Sequence, residues 1–254
     1  SRLEAVAREI RDWYGHEDVS VRFLDADNWL STPMVVDDRW FVKVISKQNS
    51  IVHGLFTTGR NLGVFSSGTE GFFEHFDTPV EMAEHELVAT ERMREIGLNA
   101  PEPVEAFEVD GLGVVVLEYL PTFRTLDELD AESETDLAPG LFVALSTMHD
   151  NDLLHGDLRP ENVLICDGEI YFIDATSVTE GKASDAKSYD IACALGALEP
   201  LIGGKRTVDA ARSAFTPEEL LAAARFLDFV NIRPDHDFDA AILHGEIEKR
   251  ASSP

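Results

Sequence analysis

Apolar positions along this chain first recur every three or four residues. Leu3, Val6, Ile10 and Trp13 share one side, which predicts an amphipathic helix over residues 2–14. Short β-rich runs follow. Val19–Leu24, Met34–Val36 and Trp40–Ile45 read as strands, with Asp25–Thr32 a loop and Asp37-Asp38 a turn. Thr78-Pro79-Val80-Glu81 is a capping box with proline at the first helical position, so a helix starts there and runs to a stop at Gly97. The cap is worth about 1 kcal/mol. Val104–Phe107 and Gly113–Leu117 form two further strands around Asp110-Gly111. Beyond Leu120 the pattern is mostly helical, with helices over about Leu137–Met148, around Tyr189–Ala192, from Thr216-Pro217-Glu218-Glu219, and over about Phe238–Lys249. A single hairpin interrupts them: Val163–Cys166 and Glu169–Ile173 flank the tight turn Asp167-Gly168. The order predicts an α+β fold, a small five-stranded part with one main helix followed by a helical part that carries the hairpin.

Composition narrows the class. The 254 residues allow one two-lobed domain or two small ones, and 44% apolar residues suffice for a core. No stretch has the apolar length needed to cross a bilayer, and the start lacks a signal-peptide pattern. No membrane association and a cytoplasmic location are therefore expected. The chain opens on Ser1, so further N-terminal sequence is expected. Asp and Glu number 48 against 21 Lys and Arg, a net charge of −27, with only six lysines. The acids are spread along the chain, and such an excess strains a compact fold unless salt screens it. Adaptation to the salty cytoplasm of a halophilic microbe is the favoured reading over an acidic face for a basic partner. Broad nonspecific nucleic-acid binding is not expected, because phosphate backbones need clustered Lys and Arg. Cys166 and Cys193 read as buried residues of a reduced protein, and no Cys/His spacing suits zinc.

The chemistry concentrates in His155-Gly156-Asp157-Leu158-Arg159-Pro160-Glu161-Asn162, followed eleven residues after Asn162 by Ile173-Asp174. Phosphoryl transfer needs positioning and charge neutralisation more than covalent help. Asp157 is placed to accept a hydroxyl proton or orient an attacking group. Asn162 and Asp174 offer hard oxygens that suit magnesium. Lys43 stands inside the apolar run Trp40–Ile45 as an edge-strand charge or a functional cation. A functional lysine there needs a carboxylate, and Glu81, Glu84, Glu86 and Glu91 of the following helix are candidates by periodicity. Residues 46–78 are rich in glycine and hydroxyl groups but include Leu55-Phe56 and Phe72-Phe73. They read as a flexible loop folding over a nucleotide or partner, or as an ordinary surface excursion.

Over residues 17–200 the chain resembles an atypical protein kinase of the RIO family. The family's His-Gly-Asp-Leu-x-x-x-Asn is similar to His155–Asn162, and its Ile-Asp to Ile173-Asp174. Glu86 stands eleven residues before Gly97, which precedes Pro101-Glu102-Pro103. The long loop over 46–78 is a family trait, as is the short spacing of fifteen residues between Asp174 and Asp190, with no Ala-Pro-Glu. The resemblance implies a bilobal protein-kinase-like fold: an N-terminal helix (1–16), an antiparallel N-lobe (17–117), a hinge (118–121) and a helical C-lobe (122–254). It implies ATP and Mg²⁺ as cofactors and serine/threonine kinase or ATPase activity. Lys43 would hold the α- and β-phosphates with Glu86 orienting it, and Asn162 and Asp174 would bind the metal. Asp157 would orient the nucleophile, Glu118 and Leu120 would meet adenine at the hinge, and Asp190 would brace the catalytic loop. A protein substrate or a ribosome-assembly partner is implied by the family alone.

Three departures stand out. No glycine occurs from Val19 to Lys43, and the Ser31-Thr32 step, which is similar to a RIO loop, runs into Pro33. Arg159 sits two residues after Asp157, where it either neutralises the γ-phosphate or pairs with Glu161. Ala175-Thr176 replaces Phe-Gly. The motifs also resemble aminoglycoside-phosphotransferase-like small-molecule kinases, but the 35 positions from Leu120 to His155 leave little room for their helical insertion. The small kinase of the archaeal tRNA-modifying threonylcarbamoyl complex is a further relative. A nucleotide-sensing scaffold without turnover fits the glycine-free loop; the intact Lys43, Asp157, Asn162 and Asp174 set opposes it.

Overall fold

The computed structural model describes residues 2–15, 20–23, 32–46, 78–175, 183–233 and 236–252. The chain divides into two compact units, Ser1–Glu91 with Pro101–Thr122, and Arg92–Ala100 with Phe123–Pro254.

In the first unit, helix α1 (Arg2–Tyr14) precedes strands β1 (Val21–Phe23), β2 (Thr32–Val36) and β3 (Trp40–Ile45). Helix α2 (Pro79–Glu95) then leads to β4 (Pro103–Val109) and β5 (Leu112–Glu118). The strands form one antiparallel sheet in the order β1-β2-β3-β5-β4. The β2–β3 and β4–β5 turns use the left-handed region, at Asp37-Asp38 (φ 53° and 49°) and at Asp110-Gly111 (φ 51° and 77°). Such turns match the twist of the strands they join. Strand period two divides the sheet into two apolar faces. Met34, Val36, Val42, Val44, Val114 and Val116 pack with Val6 and Ile10 of α1. Phe41, Ile45, Val115 and Leu117 pack with Met82, Ala83 and Leu87 of α2. Lys43, between Phe41 and Ile45, belongs by period to the α2 face. The capping box forms: Glu81 N–H donates to Thr78 Oγ1 (3.3 Å) and Thr78 N–H to Glu81 Oε2 (3.2 Å). A Cβ on Gly113 would lie 2.0 Å from the Pro79 carbonyl oxygen, so glycine at this point of β5 lets the start of α2 lie against the sheet.

In the second unit, β6 (Arg124–Thr125), β7 (Val163–Cys166) and β8 (Glu169–Phe172) form a small antiparallel sheet. Helices α3 (Ala131–Asp150), α4 (Ala183–Ile202), α5 (Gly204–Ala211), α6 (Pro217–Ala224), α7 (Leu227–Asn231) and α8 (Ala240–Ala251) complete it. Helix α4 is its centre: it packs against α3, α5, α6, α7 and α8, and Tyr189–Glu199 are all buried. Gly196 admits Phe238, whose ring would lie 2.6 Å from a Cβ there.

Several elements differ from the expectation. Thr32 is the first residue of β2, not loop. Helix α3 starts at Ala131, six residues before Leu137: the Asp130 side chain caps it by accepting Ser133 N–H at 2.9 Å, and the helix continues through Pro139. Strand β6 and helices α5 and α7 carry no pattern that sequence reading picks up. Cys166 is half-buried, whereas Cys193 is fully buried, and burial pushes its thiol up to about 12. Ser31 and residues 47–77 of the long loop lie outside the described residues. Among the described residues no helix is long and apolar enough to cross a membrane.

Candidate functional site

The first unit carries a buried cation with its counter-ion. On α2, residues 83, 86, 87 and 90 share one face. Ala83 and Leu87 pack on the sheet, which turns Glu86 toward β3. Lys43 Nζ donates to Glu86 Oε2 at 2.9 Å, with both side chains 11% exposed. Thr90 Oγ1 donates to the Glu86 carbonyl at 2.7 Å. Across the sheet, Lys43 is in register with Pro33 on one side and Val115 on the other. Thr32 is exposed, opposite Val44. At the end of β5, Glu118 N–H donates to the Glu102 carbonyl (2.8 Å) and Tyr119 N–H to the Arg39 carbonyl (2.9 Å). Leu120 is buried, and among the described residues its N–H has no protein acceptor.

The second unit carries the loop that leads into β7. Asp190, fully buried on α4, accepts from His155 N–H (2.9 Å) and Gly156 N–H (2.8 Å), and pairs with His149 Nε2 (3.0 Å). Burial alone would raise its carboxyl; the hydrogen bond from His149, the charges of His149 and His155, and the Gly156 amide outweigh that and hold it below the usual range. Gly156 takes φ 78°, which brings two consecutive amides onto one carboxylate. His155 is buried edge-on to Phe172 (6.0 Å between ring centres), and desolvation pushes its pKa down against the raising charges of Asp190, Asp157 and Asp174.

Asn162 is buried at the end of the 3₁₀ turn Pro160–Asn162, and its Nδ2 donates to the Asp157 carbonyl at 2.9 Å. That bond orients the amide and leaves Oδ1 as its acceptor atom. Ile173 N–H donates to the Asn162 carbonyl at 3.1 Å, so β8 leaves the sheet tied to the same turn. Asp174 follows, half-buried and at φ 59° in the left-handed region, which aspartate adopts more readily than most side chains. Asn162 and Asp174 are hard oxygen donors and fit magnesium, which uses one or two protein oxygens plus phosphate and water. Among the described residues no cluster of three or more His, Cys, Asp or Glu side chains is placed to hold an ion by itself.

Among the described residues, the guanidinium groups of Arg159 and Arg233 meet the Asp157 side chain. Arg159 Nε lies 3.4 Å from Oδ2, an ion-pair contact rather than a hydrogen bond. Arg233, 76 residues downstream, donates from Nη2 to Oδ1 at 2.5 Å and from Nη1 to Tyr189 Oη at 2.6 Å. Sequence reading missed Arg233 and Tyr189. Tyr189 has one usable signal, its place beside Asp190; Arg233 has none, because no motif surrounds it.

Residues 74–193 match the family model of the RIO domain. That stretch, just under half of the chain, is similar to a RIO domain. It takes in α2, the loop His155–Asn162, both hairpin strands and Asp190; β3 with Lys43 precedes it and Arg233 follows it. A curated relative, the KEOPS complex subunit Bud32 of Pyrococcus abyssi, is 31% identical over 87 residues, which are 33% of this chain and 38% of that protein. The match thus spans well under half of that relative. Among solved structures, an aminoglycoside-3'-phosphotransferase of type VIII is similar with a TM-score of 0.56 at 17% identity, covering 90% of this chain and 99% of the other. WaaP in complex with acyl carrier protein is similar with a TM-score of 0.50 at 15% identity, covering 95% and 94%. At such identities the likeness shows the fold, which is kinase-like: a five-stranded antiparallel sheet unit and a helical unit.

Proposed function

We propose that this protein is a RIO-type, ATP- and Mg²⁺-dependent phosphotransferase that moves the γ-phosphate to a serine or threonine hydroxyl or to water. The observation that carries the reading is the order around Asp157: its carbonyl holds Asn162, the amides of the preceding residues are held by Asp190, and Ile173 ties Asp174 to the same turn. In the first unit, Lys43 would grip the α- and β-phosphates and Glu86 keep it in place. Glu118 and Leu120 would present backbone groups to adenine. In the second, Asn162 and Asp174 would hold magnesium, which neutralises charge on the phosphates when bound. Asp157 would orient the attacking oxygen and receive its proton.

The nucleotide segment has no glycine from Val19 to Lys43. The hydroxyls of the Ser31-Thr32 step would cover the phosphates in its place, while Pro33 in register with Lys43 stiffens the start of β2. We propose a protein partner as well, since the Bud32 relative is a complex subunit. A cytoplasmic place and the domain limits 1–16, 17–117, 118–121 and 122–254 belong to the same proposal.

The test is a turnover assay with γ-labelled ATP and magnesium in high salt, following released phosphate and protein-bound label together. Wild type is expected to produce one or both. Asp157→Ala is expected to lose on the order of 100-fold or more in kcat, as removal of a catalytic acid–base group does. Detectable ATP binding with neither signal in the wild type would overturn the reading in favour of a nucleotide-sensing scaffold.

A further inference from the structure

Asp157 is held by α4 in two different ways. Asp190 fixes its backbone approach by accepting the amides of His155 and Gly156. One residue earlier, Tyr189 reaches the side chain through Arg233, whose two terminal nitrogens divide between Tyr189 Oη and Asp157 Oδ1. Tyr189 is wholly buried, edge-on to Phe226 of the α6–α7 connection and tilted against Phe229 of α7. The Arg233 backbone is fixed at both ends: its N–H donates to the Val230 carbonyl, and its carbonyl accepts from His236 N–H, each at 3.1 Å. Its side chain is 13% exposed. A planar fork held at one tip by a buried hydroxyl has one orientation in which the other tip meets a carboxylate.

We infer that Arg233 is a positioning residue for Asp157, fixing the rotation of the carboxylate so that it meets the attacking oxygen in one orientation. The inference rests on the functional reading above. It goes beyond the RIO domain, because Arg233 lies outside the matched residues 74–193. Arg159 meets Oδ2 at the longer distance of 3.4 Å. A removable plug over Asp157 is the opposite role for the same contact. The anchoring on Tyr189 speaks against it, since withdrawal would break that second hydrogen bond as well.

The experiment compares Mg·ATP turnover of the full chain in high salt for wild type, Arg233→Ala, Arg233→Lys and Tyr189→Phe, with melting temperatures alongside. Arg233→Ala is expected to lower kcat on the order of 100-fold with KM for ATP within about twofold, the loss typical of a misplaced reacting group. Arg233→Lys restores part of kcat, because it keeps the charge and loses the fork. Tyr189→Phe lowers kcat by a smaller factor, again at constant KM. An active wild type with equal kcat in Arg233→Ala overturns the role, even if the variant melts earlier; a higher kcat replaces it with the plug. Should Arg233→Ala not fold, Arg233→Lys and Tyr189→Phe decide: both at wild-type kcat overturn the role. A wild type without turnover overturns the functional reading and this inference with it, which separates the two failures.

Discussion

Lys43 and Glu86 are nearly buried, so each depends on the other. Removing one partner of a buried pair leaves an uncompensated charge, whereas replacing both by apolar groups is often neutral. Glu86→Ala is therefore expected to cost about 3–5 kcal/mol, read as a lower urea midpoint. Lys43→Met with Glu86→Leu is expected to recover most of it. Equal losses in the single and the double variant would contradict the pairing. Periodicity left Glu86 among four acids because it gives a helix face but not the neighbour; Ala83 and Leu87 packing on β3 and β5 supply that. Asp190 gives a pH test. Its folded-state carboxyl lies below the ordinary 3.8, so its contribution is complete above that pH and is lost as pH falls through the lower folded value. Wild type should exceed Asp190→Asn by about 3 kcal/mol at pH 7, with the gap narrowing below about pH 4. Urea midpoints at pH 7 and pH 3.5 check this, and a gap that ignores pH would contradict it. Arg233 shows the limit of reading one sequence: its contact to Asp157 spans 76 positions and depends on where α7 ends.

The elements most legible in the sequence are those whose instructions are local. Asp-Asp and Asp-Gly turns between β-rich runs gave the hairpins, and Thr-x-x-Glu boxes gave the starts of α2 and α6. Short elements were missed for physical reasons. Helix α5 opens on Gly203-Gly204, a breaker signal; α7 is five residues long; β6 is two residues completed by pairing with β7. Helix α3 starts early because Asp130 caps it, and Pro139 inside it reads as a stop although tertiary packing carries the helix onward. The contact between α2 and β5 gives the test at this scale. Gly113→Ala places a methyl against the Pro79 carbonyl and should destabilise the protein by about 1–3 kcal/mol. An unchanged melting temperature would show that α2 shifts freely on the sheet.

For the whole molecule, charge is the dominant number. At −27 the fold repels itself, and screening shortens the range of that repulsion from about 10 Å at 0.1 M salt to about 3 Å at 1 M. The melting temperature should therefore rise by several degrees between these conditions, by a comparable amount in potassium and sodium chloride. A fall would mean that attractive surface pairs outweigh the repulsion.

The most direct measurement is a magnesium titration of ATP turnover at matched high salt, comparing wild type with Asp174→Asn. The proposed site predicts wild-type turnover that rises with magnesium and saturates. In the variant, turnover should fall on the order of 100-fold or more while melting stays within a few degrees. Equal turnover with the same magnesium dependence in both proteins would contradict the assignment of Asp174, and with it the site.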